Sequence, residues 1–160
     1  MPDRRYERDL LAWGEHQAAL LRRVAQGETM PEGLDWPHVI AEIEQAGLAD
    51  LRACLSLLVQ AMAHLLRLHL RPEAAPAAYW RAETAAFLAG ARRGASPALR
   101  GRIDLDALWL DAVYEIRAEM DEYMPPTLPD DCPFTLDQLL ALHPEPGRLL
   151  RILSGSGASG

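Results

Sequence analysis

The sequence predicts an all-α protein, an up-and-down four-helix bundle with a short C-terminal helical arm. Three observations carry this. Leu and Ala far outnumber the β-branched residues, and unbranched side chains lose little rotamer freedom in a helix. Apolar residues recur at steps of three and four in four separate stretches, the period of a helix with one buried face. Prolines fall between those stretches or in their first turns rather than inside them, and no alternating strand pattern competes.

The first stretch, about residues 4–26, places Tyr6, Leu10, Trp13, Gln17, Leu20, Leu21 and Val24 on one stripe and is expected to end at Gly27. A linker with Pro31 and Gly33 follows. Asp35 then offers a cap with Pro37 in the first turn, where a missing N–H costs nothing. The second helix is long. Its seam runs through Ile40, Ile43, Gly47, Leu51, Cys54, Leu58, Met62 and Leu65, and its later half is apolar nearly all round. Pro72 disfavours helix at Arg71, so it should stop near residue 70.

A third helix is expected over about 77–93, with Trp80, Thr84, Phe87, Leu88 and Ala91 inward. Ser96–Pro97 is a side-chain cap with proline at the first helical position. Gly101 and Asp104 allow a short helix, a kink and a restart, and the seam then continues from Leu105 to Met120 until Pro125 and Pro126. Thr135 and Gln138 form a capping box ahead of one short docking helix. Pro144, Pro146 and Gly147 leave at most one further turn over 149–153. Residues 1–153 are thus expected to form a single bundle domain, with 154–160 as a disordered tail.

Composition narrows the function classes. All sixteen basic residues are arginine and asparagine is absent, the mark of a GC-rich genome, and the formal net charge of −7 disfavours nucleic acid as a partner. Cys54 and Cys132 form no CxxC pair, and no histidine stands at zinc-ligand spacing. The most apolar run, 51–70, is interrupted by Arg52, Gln60, His64, Arg67 and His69, so it is expected to be a core helix rather than a membrane span. No secretory h-region follows the N-terminal arginines, and the cytoplasm is the expected compartment.

Several short patterns occur in a fixed order: Tyr6-x-x-Asp9 with Trp13, Leu20-Leu21-Arg22, Leu34-Asp35-Trp36, Ala41-Glu42-Ile43-Glu44, His64-Leu65-Leu66-Arg67, Pro72-Glu73, Trp80-Arg81, Ser96-Pro97-Ala98-Leu99 and Cys132-Pro133-Phe134-Thr135-Leu136. Together they resemble the bacterial DUF29 family over about residues 6–142. Ala41, Arg67 and Leu68 stand where that family often has glutamate, lysine and tryptophan. The resemblance implies a bacterial, helical domain and brings no activity, cofactor or catalytic residue.

An antiparallel bundle should gather Tyr6, Asp9, Trp13, His64, Arg67, Trp80 and Glu119 at one end. The sharp hypothesis there is an Asp9–His64 dyad acting as an oriented base, with Tyr6, Trp13, Arg67, Trp80 and Glu119 as ligand-binding candidates. The bland one is that these side chains satisfy one another's polar tips. Glu42 and His64 lie 22 residues apart, roughly 33 Å along a straight helix, too far for one site. No Glu-x-x-His motif, phosphate loop or nucleophile elbow occurs, so neither a metal nor a cofactor is expected. The expected function is a non-enzymatic cytoplasmic interaction or adaptor module that binds another protein or itself, as a homodimer, with no membrane partner. The alternative is an enzyme or small-ligand protein using the bundle end around Asp9, His64 and Trp80.

Overall fold

The computed structural model describes residues 5–120 and 128–156. They are all-α: α1 (Arg5–Arg8), α2 (Leu10–Ala25), α3 (Trp36–Leu70), α4 (Ala77–Gly94), α5 (Pro97–Arg100), α6 (Leu105–Glu119), α7 (Leu136–Leu139) and α8 (Pro146–Ser156), with no strand among the described residues. Contacts divide the chain into two compact units, Met1–Ala49 and Asp50–Gly160, and α3 contributes to both.

In the first unit the opening stretch is not one helix. It breaks at Asp9, whose backbone leaves helical geometry and whose carboxylate accepts the Ala12 N–H at 2.9 Å. A short acidic side chain competes with the backbone for its own hydrogen bonds, so aspartate favours the cap over the helix interior. At the other end of α2, Gly27 adopts φ 97°, its N–H donates to Val24 O, and Glu28 N–H donates to Arg23 O. This is the paired closure in which a left-handed glycine satisfies the last carbonyls. Gln17, the polar interruption in the stripe, is 2% exposed and ties the linker down: its amide donates to Gly33 O at 3.1 Å and accepts from Asp35 N–H at 2.9 Å. Asp35 O then takes the Val39 N–H and starts α3.

The second unit holds the main core. Leu58, Ala61, Met62, Leu65 and Leu66 of α3 are fully buried with Leu88 and Ala91 of α4, Trp109 and Ala112 of α6, Leu139 of α7 and Leu153 of α8. α3 and α4 run antiparallel: Cys54 Sγ reaches Ala91 O at 3.6 Å, and His64 stacks on Phe87. A Cβ at Gly90 would come within 3.1 Å of Leu57 Cδ1, so glycine lets the two helices approach there. Ser96 caps α5, Asp104 caps α6, and Thr135 with Gln138 closes the capping box on α7. Between them, Trp109 Nε1 donates to Pro129 O at 2.8 Å and Asp106 accepts the Cys132 N–H, pinning the 128–135 segment onto α6.

The C-terminus departs from expectation. α8 spans eleven residues to Ser156, so residues 154–156 are helical rather than part of a tail, and 157–160 lie outside the described residues, as do Pro125 and Pro126. Pro146 does not end the helix but begins it, because a first-turn N–H has no intrahelical partner to lose. Leu149 and Leu153 bury one face of α8. By length and composition α3 could cross a membrane; the same apolarity serves the core, since its later half supplies the central residues of the second unit.

Candidate functional site

In the second unit, α3 delivers His64 and Arg67 on adjacent turns toward α4 and α6. The Arg67 guanidinium is shared among three acceptors. Its Nε donates to Glu119 Oε2 at 3.1 Å, its Nη2 donates to Glu119 Oε1 and to Glu115 Oε1, the latter at 2.9 Å, and its Nη1 meets His64 Nδ1 at 2.7 Å. A guanidinium only donates, so Nδ1 is an acceptor and the imidazole proton sits on Nε2, facing Glu83 Oε2 at 3.4 Å. The ring lies stacked over Phe87 at 5.5 Å, with its side chain 13% exposed.

The electrostatics follow from that geometry. Burial lowers the His64 pKa, outweighing the opposing pull of Glu83, with the Arg67 charge adding to the lowering. Hydrogen bonding from Arg67 lowers the Glu119 pKa. His64 is thus a neutral ring whose lone pair is already engaged and whose proton already has an acceptor. Such a ring can transmit position between Arg67 and Glu83; it cannot take a substrate proton without first losing Arg67.

Of the seven sequence candidates, this unit brings together His64, Arg67 and Glu119. Trp80 belongs to the same unit, where its carbonyl accepts the Thr84 hydroxyl at 2.7 Å. Tyr6, Asp9 and Trp13 belong to the first unit. Within its own unit each half of the expected Asp9–His64 dyad has a partner: the Asp9 carboxylate caps α2, and the carboxylate at His64 is Glu83. Glu83 and Phe87 had no local signal linking them to His64, whereas Glu115 stands four residues before the candidate Glu119 on α6 and shares its face.

The first unit assembles its own aromatic and polar cluster. Tyr6 stacks against His38 with ring centroids 3.9 Å apart and meets Trp13 edge-on at 5.0 Å, while its hydroxyl donates to Glu42 Oε1 at 2.6 Å. That bond raises the Tyr6 pKa, since losing the proton would set two anions together. His38 Nδ1 donates to Asp35 Oδ2 at 2.8 Å. Trp13 is 4% exposed, and its buried Nε1 has no partner among the described residues. His38 was missed in the sequence although Asp35, His38 and Glu42, spaced by three and four, share a helical face. The cluster fastens α1 and α2 to the opening turns of α3.

A hollow beside α7 and α8, lined by Gln138, His143, Glu145 and Arg148 among others, measures about 100 Å³, below the roughly 300 Å³ at which small-molecule pockets begin. Among the described residues no three His, Cys, Asp or Glu side chains stand close enough to share a metal ion.

A different feature sets the first unit apart. Its buried large apolar side chains are Trp13, Leu20 and Val39, whereas Leu10 (52%), Leu11 (74%), Met30, Trp36 (38%), Ile40 (51%) and Ile43 (69%) are exposed. The seam read along α3 therefore has two fates. From Cys54 onward it is core, and before Gly47 it faces water.

Comparison with known proteins adds fold and family. No curated protein matches the chain. A crystallised α-helical protein of unknown function from Rhodospirillum rubrum is similar at 30% identity, with a TM-score of 0.72, over 92% of this chain and 96% of that one. The family model described as a domain of unknown function matches residues 5–143, the stretch carrying both clusters and the open seam, and by that match the chain belongs to the DUF29 family.

Proposed function

We propose that the chain is a non-enzymatic protein-interaction module of the bacterial cytoplasm, an adaptor whose first unit offers an apolar face to a protein partner. The observation that carries this is the inverted apolar balance of the unit's described residues, where six large apolar side chains are exposed and three are buried. Contiguous open apolar surface is the physical mark of an association site, because water penalises it until something covers it. The alternative, an enzyme or small-ligand site around Asp9, His64 and Trp80, needs an imidazole with an available lone pair. The engaged ring nitrogens of His64 favour a structural role instead.

The test is a photo-crosslinking amino acid placed at Ile43 and, as a control, at the exposed Asp111 of the second unit, in the full chain inside a bacterial cell. Discrete adducts from position 43 and none from position 111 are expected. Equal or absent crosslinking at both positions contradicts the proposal.

A further inference from the structure

We infer that the occupant of the open seam is a second copy of this chain, docked antiparallel about a two-fold axis. The inference rests on the interaction reading above and names its partner. Trp36, Ile40, Ile43 and Gly47 are spaced four, three and four apart, which puts them within about 40° of one direction on α3. The order is large, medium, medium, none. Run antiparallel against itself, the stripe is its own complement. Trp36 lies over Gly47 of the second copy, Ile40 lies over its Ile43, and the axis passes between residues 41 and 42. A two-fold interface requires such a self-complementary patch.

Gly47 supplies the second argument. Glycine within a helix costs about 1 kcal/mol relative to alanine, so a mid-helix glycine calls for a reason. Among the described residues a Cβ at Gly47 would meet nothing within 4 Å, as at Gly14 of α2 and unlike Gly90, where it would press on Leu57, so the surface beside Gly47 is open. The open surface beside Gly47 leaves room for the indole of Trp36, 38% exposed, from another copy. Charge agrees with the same register. Exposed Glu44 falls beside residues 37–39 of the second copy, the first turn of its α3, where the positive end of the helix dipole lies. No carboxylate of the seam faces another.

Sedimentation velocity on the full chain across a concentration series tests this, with Gly47→Leu and Ile43→Glu as variants. The wild type is expected to be a reversible dimer. Both variants should raise the dissociation constant at least about tenfold. Because no described residue occupies the space at Gly47, Gly47→Leu should melt no lower than wild type under dilute conditions, which separates lost association from lost folding. An equimolar mixture of Trp36→Cys and Gly47→Cys chains should form an interchain disulfide under mild oxidation, and Trp36→Cys alone should not, since a parallel seam would give the reverse.

A dimer that neither variant weakens overturns the seam as the interface. A chain monomeric at high micromolar concentration, in which Ile43→Cys reacts freely with a thiol reagent, overturns the second copy but leaves the interaction reading to a different protein. A monomer in which Ile43→Cys is protected means the chain covers its own seam, and both readings fail.

Discussion

Leu58→Ala and Ile43→Ala remove similar groups from one continuous seam of α3, yet the structure assigns them opposite costs. Leu58 is fully buried within the core of the second unit, whereas Ile43 is 69% exposed. Truncating Leu58 forfeits about 2 kcal/mol of transfer free energy at roughly 0.8 kcal/mol per buried carbon. The cavity left in a close-packed core adds about 1 kcal/mol more, for a total of about 3 kcal/mol. At 2–4 °C per kcal/mol for a chain of this size, the melting temperature should fall by about 6–12 °C. Ile43→Ala loses little burial and gains helix propensity, so its cost in a dilute sample should stay within about 0.5 kcal/mol. Urea titration followed by far-ultraviolet circular dichroism reads both. A loss under about 1 kcal/mol for Leu58→Ala, or equal losses for the two, would show that the seam's two halves have been assigned to the wrong environments.

Three further outcomes are expected. Burial holds the His64 and His69 pKa values below their ordinary 6.5. The unfolded chain therefore takes up protons first on acidification, and the stability these rings contribute, complete above pH 6.5, should be lost as pH falls through their lower folded values. Melting curves from pH 8 to 5 should show that decline, less steep in His64→Gln; an unchanged slope refutes the assignment. Arg67→Met leaves Glu115, Glu119 and the His64 lone pair without their shared donor, and it should cost roughly 1–3 kcal/mol, limited by the partial exposure of both carboxylates. A neutral result in denaturant titration would make the cluster ornamental. Met30 holds φ 46°, a conformation costly for a side chain with a Cβ, so Met30→Gly should raise stability by roughly 0.5–1 kcal/mol, and a lowered melting temperature would refute the strain.

The helices were legible in the sequence because they rest on local chemistry. The Ser96 cap, the Asp104 restart and the Thr135–Gln138 box all work within four residues, and each stands where its sequence places it. Asp9 and Pro146 were misread for a related reason. Each has a helix-compatible role at a terminus, as cap and as first-turn proline, and hydrophobic spacing alone does not say where a terminus falls. The cluster around His64 was legible only in part. Arg67 and Glu119 follow from antiparallel packing, and Glu115 stands one turn before Glu119 on the same face of α6, but Glu83 comes from α4 with no spacing rule to tie it to His64. The division of the α3 seam into core and open halves was not legible. An isoleucine at a seam position looks the same in sequence whether its partner lies in the chain or outside it.

Whether the first unit keeps an apolar face for association can be read from the thiol reactivity of Ile43→Cys in the full chain, compared with wild type carrying Cys54 and Cys132. Labelling near the rate of a free thiol is expected in dilute purified protein, slowing at least about tenfold inside the cell, where the face is occupied. Equal rates in the two settings would mean that nothing docks there.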